Sequence, residues 1–489
     1  MALLLVTALM FTVRGGQITV MVTDFVQGVF CNILYLLIVA FILLTVDWST
    51  LMEGISYAAP EASRVHPFHT SATRDYDQWF FLISIFYILV LFPADGANQA
   101  PNSSARSAHE ARMGWVLSNV RGVVVGLAFL LLPILAYTVM HHPDYAPVAE
   151  SVNQALEGQD SQVQREVLVP VVMAHFLPAG LVGGFAALML AAFIACSDSY
   201  LHVFGSIVIQ DMVLPFRKKP FSPETHLLLL RTAVVGVALV AFLLGLLYKP
   251  RQDIQMFWAL LMTFSAGAAV IPMIGGLYWK WGTTFGAWAS AATGALLSAV
   301  GFWVRRYHPE FPMNAQVMSF FIVLLCIGNF AVVSLVDHFL RRREPFDMDR
   351  MLHRGRYAVQ PDNEEEKPAG SLLFRALGVG KEFTKADIAI SFGVVAWTGF
   401  WFVLFIVGTV YSLLFDLSTE AWEQYWRYYI WAQFGVGSAV VVLFAVGGLA
   451  NFRDLVKELR SEERNERDNG MVVGHANLED VAVADADSE

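Results

Sequence analysis

The sequence predicts an all-α, multi-pass membrane protein, and two observations support that prediction. Of the 489 residues, 56% are hydrophobic and only 15% are charged, with a mean hydropathy of +0.54. Soluble globular chains contain about 25% charged residues, so this composition excludes an ordinary soluble domain. The apolar residues also gather into long segments, and a membrane-spanning helix needs about 20 such residues. We therefore expect a multi-pass protein of the cell membrane, surrounded by the lipid bilayer.

The apolar segments follow one another along most of the chain. The first, residues 3–13, is too short to span a membrane alone. The segment at 80–93 is also short, whereas 177–214 is longer than one span. The predicted spans are 18–46, 80–93, 115–140, 177–214, 227–248, 254–279, 285–304, 317–340, 388–414 and 429–449.

The placement of Lys and Arg orients these spans. If Arg14 lies in the cytoplasm and the chain crosses at every span, most loop Lys and Arg residues fall on the inner side. The inner loops are then 102–113, 215–225 and 341–387, and the segment 141–167 is external.

Composition divides the chain into four parts. Residues 1–340 hold the polar and glycine-broken spans of a transporter-like core, and residues 341–387 form a charged cytoplasmic linker. Two C-terminal transmembrane helices occupy 388–450. The segment 451–489 is a charged, acidic cytoplasmic tail with little capacity to bury apolar surface.

Several function classes lack support. Cys31, Cys196 and Cys326 all fall inside predicted spans without paired spacing, which argues against a disulfide framework or a zinc site. We find no nucleotide-binding loop, metal cluster or nucleophile motif, so we do not expect an enzyme. We also expect no cofactor, apart from Na⁺ as a possible coupling ion, and no nucleic-acid partner.

Polar side chains stand near the start of the span at 18–46. Thr23, Asp24 and Gln27 precede a long apolar run. A charged side chain near the bilayer centre costs about 2.5–3.5 kcal/mol on insertion scales, and such groups usually line an ion or substrate path. We therefore favour a functional role for Asp24 over a packing role.

These residues belong to a pattern that resembles a known family. The spacing GG-x(3)-V-x-x-TD-x-x-Q, from Gly15 to Gln27, resembles the signature that opens the fifth core helix of sodium:solute symporters. In that family the signature lies well inside the chain, so the resemblance implies an N-terminally truncated member. Further segments resemble family motifs at the expected places: LPAGLVGG (177–184), AAFIACSDS (191–199) and Asp211, GGLYWK (275–280), and NQ (98–99) with EAR (110–112).

The resemblance implies a fold and a function. Family members are similar to LeuT-like inverted-repeat transporters, in which two five-helix repeats face each other around a midplane site. This chain would hold part of the first repeat, the complete second repeat at about 79–280 and two further helices. It would move a small organic solute with Na⁺ or H⁺ coupling.

The resemblance also implies ion-binding residues. In the family, two adjacent hydroxyl residues of core helix eight help to bind sodium; Ala195 and Cys196 stand there instead, and only the Ala192 carbonyl still matches. Some members have a further cation site, whose counterparts would be Asp24, Asp198 and Ser199. Two carboxylates there could bind a cation or share a proton. Alternatively, Asp198 and Ser199 simply form hydrogen bonds to neighbouring helices.

Other polar residues are candidates for the solute pathway. Thr23 and Gln27 lie on the same predicted helix as Asp24, and Asn98 and Gln99 follow the segment 80–93. Asp95, in a Pro-Ala-Asp-Gly context, either lines the inner path or caps a helix at the interface.

Two other readings stay open at this point. The chain could be a non-transporting membrane sensor or scaffold that uses the linker 341–387 or the tail to contact partners. It could also be a fragment from a wrong start site. The sequence leaves open the solute, the coupling ion and the oligomeric state.

The predicted orientation can be tested by cysteine labelling. In a variant whose native cysteines are replaced, a membrane-impermeant thiol reagent should label Pro143→Cys in intact cells, because 141–167 is external. Ser222→Cys, in the inner loop 215–225, should react only after permeabilisation. Labelling of Ser222→Cys in intact cells with protection of Pro143→Cys would overturn the orientation.

Overall fold

The structure, a computed structural model, consists of helices joined by short connections. It describes residues 2–70, 75–91, 102, 104–105, 107–217, 221–247, 254–308, 310–342, 344–352, 355–357, 382–415, 417–461, 472–473 and 476–477. The helices are α1 Ala2–Thr45, α2 Trp48–Ser56, α3 Gln78–Val90, α4 Ala108–His141, α5 Ala146–Leu156, α6 Ser161–Phe176, α7 Ala179–Ile207, α8 Pro223–Leu247, α9 Ile254–Ser265, α10 Ile271–Tyr278, α11 Thr284–Tyr307, α12 Ala315–Arg341, α13 Met348–Met351, α14 Lys385–Phe415 and α15 Thr419–Ser461. Two-residue strands, β1 Val472–Val473 and β2 Ala476–Asn477, pair near the C-terminus.

The described part of the chain contains nine helical segments long and apolar enough to cross a membrane, together with the shorter apolar helix Trp79–Val90. The predicted all-α, multi-pass class is therefore confirmed. Large apolar side chains such as Leu244, Leu247 and Val442 stay exposed on these spans. Such exposure is what a lipid environment requires, because hydrocarbon rather than protein covers these faces.

Polar side chains fix where several spans begin. Asp77, Ser107, Thr283 and Asn314 each precede a helix and accept a hydrogen bond from a backbone amide in its first turn. The first amides of a helix have no intrahelical partner, so these caps stabilise each start, typically by about 1 kcal/mol.

The first helix reverses direction at Gly16. α1 has 44 residues and would extend about 66 Å if straight, twice the hydrocarbon thickness of a bilayer. Gly16 has φ 57° and ψ −150°, which L side chains rarely adopt. Thr12 and Thr23, on opposite sides of Gly16, both contact Asp198 of α7. The predicted segments 3–13 and 18–46 are thus two limbs of one hairpin: a first limb at 2–15 and a second limb at 17–45.

The second limb of α1 runs antiparallel to α7. Asp24 bonds to Ser199, whereas Leu34, ten residues later, lies against Gly184, fifteen residues earlier in α7. A Cβ at Gly184 would lie only 2.9 Å from Leu34 Cδ2. Further along α7, Gly205 lies directly against Val234 of α8. Small residues at these points let the helices approach closely, as in other membrane helix pairs.

Two apolar cores hold the remaining helices. The first joins α1, α2, α4, α6 and α15 and contains Ile38, Leu131, Met173 and Ile430. The second joins α3 to α9, α10 and α12 and contains Tyr87, Leu260 and Val323. A third, smaller cluster of Ala8, Leu201, Val234 and Ala238 joins the first limb of α1 to α7 and α8 beside the site.

Small residues run along α11 where it packs against its neighbours. Gly286, Ser290, Gly294, Ser298 and Gly301 are all buried on this helix. Gly294 faces Gly267, which lies in a π-helical turn at Ala266–Val270 between α9 and α10. These residues follow the small-residue spacing typical of tight membrane helix contacts.

Contacts between loops group the connections into two sets. On one side, Trp426 Nε1 donates to the Val65 carbonyl at 2.9 Å, so the segment after α2 meets the start of α15. On the other side, the Phe346 amide donates to the Lys280 carbonyl, also at 2.9 Å. Each contact joins two segments that the basic residues place on the same side of the membrane, and the orientation itself stays a prediction.

Three predicted boundaries change in the structure. The span predicted at 429–449 belongs to α15, which begins at Thr419 and continues without a break past Ala450 to Ser461. The span predicted at 177–214 contains α7 and a π-helical turn, Val208–Val213. The helix predicted at 80–93 ends at Val90. Most of the linker 341–387 and of the tail lies outside the described residues.

The reversal at Gly16 predicts a specific effect of alanine substitution. Gly16→Ala should lower the thermal unfolding midpoint, because alanine at this φ and ψ adds strain of about 1–3 kcal/mol. Gly126→Ala is the matched control. A Cβ at Gly126 would also meet no atom within 4 Å, but its φ is not left-handed. The measurement is thermal unfolding of purified protein in detergent. Equal midpoints for the two variants would show that the turn at Gly16 tolerates a side chain.

Candidate functional site

Four polar side chains meet where α1 crosses α7. Thr23 and Asp24 lie on the second limb of α1, and Asp198 and Ser199 lie in the middle of α7. Both residue pairs lie within helices long and apolar enough to span a membrane, so the four side chains form a polar contact inside a membrane-spanning pair. Such groups are costly in the membrane unless they are paired or bind a ligand.

Two hydrogen bonds connect the helices at this point. Ser199 Oγ donates to Asp24 Oδ2 at 2.9 Å, and Thr23 Oγ1 lies 3.4 Å from Asp198 Oδ2. Thr23 Oγ1 also lies within 3.0 Å of the Thr19 and Val20 carbonyls. Ser199 therefore bonds to Asp24 across the interface, whereas the Thr23 hydroxyl, whose one proton has nearer acceptors on its own helix, makes the weaker contact with Asp198.

The first limb of α1 encloses Asp198 from another side. Thr12 Oγ1 lies 3.4 Å from the Asp198 backbone carbonyl. Asp198 is 0% exposed. The reversal at Gly16 is what brings Thr12 to the same residue as Thr23.

Several oxygen atoms around the contact have no partner. Within the described part of the chain, Asp24 Oδ1, Asp198 Oδ1 and Gln27 Oε1 are buried and form no hydrogen bond. Buried polar atoms are almost always hydrogen-bonded, so each of these needs an explanation. They are also the oxygen donors that hard cations prefer.

Arg121 of α4 contributes a positive charge that sequence reasoning missed. Its guanidinium interacts electrostatically with Asp24. A Cβ built on Gly28, one turn after Asp24, would lie 3.4 Å from Arg121 Nη1. The signal was available, because a charged residue inside a predicted span is a functional candidate in itself. Thr12 gave no such signal, since its role depends on the chain reversal.

The other predicted site residues lie apart from this contact. Ala192 is exposed and lies seven residues before Ser199, about 10 Å along α7. The structure therefore does not bring Ala192 next to the carboxylates. Cys196, one turn closer, interacts electrostatically with both Asp24 and Asp198. The predicted pathway residues Asp95, Asn98 and Gln99 lie outside the described residues.

The arrangement can bind a small cation but not a classical multi-histidine or multi-cysteine metal site. No group of three or more His, Cys, Asp and Glu side chains converges among the residues described. A cation here would instead be held by two carboxylates and two hydroxyls. Hydroxyl and carboxylate oxygens suit Na⁺, and the carboxylates can alternatively take up a proton.

Comparison with known proteins identifies the family. The sequence model of the sodium:solute symporter family matches residues 1–294, which is more than half of the chain. The chain therefore belongs to the sodium:solute symporter family, and the predicted resemblance is confirmed. Members of this family are membrane transporters rather than enzymes. With the candidate spans, this membership identifies a multi-pass protein of the cell membrane.

A named transporter is similar to part of this chain. The sodium/pantothenate symporter of Escherichia coli (strain K12) is 29% identical over 153 residues. The match covers 30% of this chain and 31% of the relative. The chain thus aligns with less than a third of that relative's length.

The hydroxyl–carboxylate contacts predict how substitutions alter stability. Ser199→Ala should destabilise the protein by about 1–3 kcal/mol, because it leaves a buried carboxylate oxygen of Asp24 without a donor. Asp24→Asn should cost less, since Asn still accepts from Ser199 and the substitution removes a charge with a high desolvation cost. Unfolding midpoints in detergent provide the measurement.

Ser197→Ala is the matched control, because Ser197 lies two residues away on the same helix. We expect this variant to unfold close to the unsubstituted protein. A larger loss of stability from Asp24→Asn than from Ser199→Ala would contradict the arrangement described here.

Proposed function

We propose that this protein is a secondary active transporter that moves a small organic solute coupled to a monovalent cation. The observation that carries the proposal is the contact between α1 and α7. There Asp24 accepts from Ser199 and Asp198 lies near the Thr23 hydroxyl, and each carboxylate keeps one buried oxygen without a partner in the described structure. Membership of the sodium:solute symporter family supports Na⁺ as the coupling ion.

The charges near this contact favour a monovalent ion. Asp24 and Asp198 supply two negative charges, and Arg121 supplies one positive charge close to Asp24. One further positive charge would neutralise the group, which matters because unbalanced charge is costly in the membrane. Na⁺ would use Asp24, Asp198, Thr23 and Ser199 as ligands. The Ala192 carbonyl, also predicted to bind an ion, lies too far along α7 to belong to this group. A proton shared by the two carboxylates is the alternative cargo.

The position of the site suggests how ion binding affects the fold. Asp24 and Thr23 belong to α1, and Asp198 and Ser199 belong to α7, so a cation between them adds attraction across a helix interface. In LeuT-like transporters, which the family resembles, such helices change their relative positions during alternating access. A bound cation would favour the arrangement in which α1 and α7 are in contact, as ligands shift populations by differential affinity.

Cation binding can be tested directly on the purified full chain. Raising NaCl at constant ionic strength, with choline chloride as the balance, should stabilise the protein by about 1.4 kcal/mol at ten times the Kd. The variants Asp24→Asn and Asp198→Asn should lose this stabilisation. Asp211→Asn is the control, because Asp211 is an exposed carboxylate beyond the end of α7.

Transport is tested in proteoliposomes, with pantothenate as the first solute because a curated relative is named for it. A sodium gradient should drive uptake, and Asp24→Asn should abolish the coupled component at equal protein level. Ala195→Ser with Cys196→Ser should strengthen sodium dependence, since it adds two hydroxyl ligands on α7.

Equal Na⁺ stabilisation and equal uptake in Asp24→Asn would show that the carboxylate is structural. Uptake driven by a proton gradient alone would assign the site to H⁺.

A further inference from the structure

A short segment joins α2 to α15 on one side of the membrane. Residues 57–70 follow α2, and Trp426 Nε1 of α15 donates to the Val65 carbonyl at 2.9 Å. The next residue, His66, contacts the Leu417 carbonyl just before α15 begins. The alternation of the predicted spans puts this side outside the cell. The segment is therefore a connection between two helices on the predicted external face.

His66 is buried, and both of its ring nitrogens are in use. The residue is 2% exposed. Its Nε2 lies 3.1 Å from the Leu417 carbonyl oxygen, and the Phe68 amide donates to its Nδ1 at 3.3 Å. A carbonyl can only accept and an amide N–H can only donate, so Nε2 carries the ring proton and Nδ1 carries none. This pair of bonds therefore requires the neutral imidazole.

A second proton on the His66 ring is incompatible with these bonds. The Nδ1–H and the Phe68 N–H would both be donors, so the hydrogen bond between them is lost and the amide loses its acceptor. The added charge would also lie in a buried position, where charge is costly. An ordinary imidazole takes up this proton at about pH 6.5. Protonation of His66 and release of the segment are therefore linked.

Neighbouring rings cover the imidazole of His66. The His69 ring stacks on it with centroids 3.8 Å apart and an interplanar angle of 9°. Trp422 of α15 lies against it at 5.6 Å, and Phe68 lies at 6.1 Å. Of these three rings, His69 alone can take up a proton, and two positive charges on stacked imidazoles repel each other. The stack is therefore stable only while at least one of its rings is neutral.

The charged side chains on the packed elements have other positions or partners. Arg64 of the segment lies over the Tyr137 ring of α4 at 4.1 Å. Glu420 of α15 accepts from Ser418, and Glu423 lines a cavity. The other titratable groups of these elements are Glu61 and Arg427, which are exposed, Tyr425, which packs on Trp422, and Asp416, which lies outside the described residues.

An open cavity separates α2 from α15 beside the segment. It measures about 880 Å³ including its open side and is lined by Trp48 and Ser56 of α2 and by Glu423 and Arg427 of α15, among others. Ser56 is the last residue of α2, so the segment begins at the edge of this cavity. The bonds of the segment to α15 therefore bridge the two walls of the cavity.

We propose that the segment 57–70 is an acid-sensitive latch, in which a proton on His66 releases the segment from Leu417 and α15 and lets the walls of the cavity move apart. The closed form is favoured above about pH 6.5 and loses its advantage as the pH falls below that value. Uptake of one proton changes the ratio of open to closed forms by at most about tenfold per pH unit. The latch requires neither the cation site nor transport, so it is independent of the proposed function.

The distance between two spin labels measures the latch directly. In the full chain with its native cysteines replaced, the labels are attached at Glu61→Cys in the segment and at Gln424→Cys on α15, both exposed positions. Double electron–electron resonance is recorded in phosphatidylcholine nanodiscs. We expect one narrow distance at about pH 7.5 and an additional, longer distance at about pH 5.5. Return to about pH 7.5 should restore the narrow distance.

Substitutions in the segment assign the response to a residue. His66→Gln keeps a donor and an acceptor but takes up no proton, so the short distance should persist at both pH values. His69→Gln should retain the response, because the bonds to Leu417 and Phe68 belong to His66.

His142→Gln is the matched control, because His142 is also a buried histidine on the same side. Its ring lies 3.6 Å from Glu53 and 3.7 Å from Asp144, so a proton there gains carboxylate partners instead of losing a bond to α15. This variant should open in acid as the chain with His142 does.

Several outcomes would overturn the latch. An unchanged or shorter distance at about pH 5.5 in the labelled chain with His66 intact would do so, and it needs no histidine variant that could misfold. Opening that persists in His66→Gln, or that disappears in His69→Gln or His142→Gln, would assign the response to another group. An increase in distance that does not reverse on return to about pH 7.5 would show acid unfolding instead of a latch.

Discussion

The burial of Asp198 inside a membrane-spanning helix is the constraint on which the surrounding packing depends. A fully buried carboxylate needs polar partners, and Thr23 supplies one to Asp198, while Thr12 contacts the backbone carbonyl of the same residue. Thr23 reaches Asp198 from the second limb of α1, and Thr12 reaches it from the first limb only because the chain reverses at Gly16. Further along α7, the close approach of Gly205 to Val234 of α8 fixes the next helix of the bundle. The polar contacts around Asp198 therefore depend on the turn at Gly16 and on the alignment of α1 with α7.

The sequence predicted the spans well and the site only in part, for physical reasons. Hydropathy is a local property, so the apolar segments appear directly in the order of residues. The pairing of Thr23 with Asp198 depends on how two distant helices align, and this alignment carries no local signal. Family motifs were needed to place Asp24, Asp198 and Ser199 together. Arg121 was not singled out, because its position near Gly28 arises from the packing of α4 against α1.

The extent of α15 illustrates the same limit. Hydropathy predicted a span at 429–449, since charged residues follow Ala450. The helix nevertheless continues to Ser461, and Phe452 stacks on Phe25. Tertiary packing onto an aromatic ring of α1 extends the ordered structure beyond the apolar segment. The C-terminal helix therefore contacts the residue next to Asp24, although the two are far apart in the chain.

The two bonds between α1 and α7 share one geometric property. Thr23 pairs with Asp198 and Asp24 pairs with Ser199, so each contact joins one of two adjacent residues of α1 to one of two adjacent residues of α7. A slide of one helix along the other by one residue, about 1.5 Å, would move both pairs out of register together. Sliding α1 along α7 would therefore lengthen both contacts at once, so the pair resists that motion together.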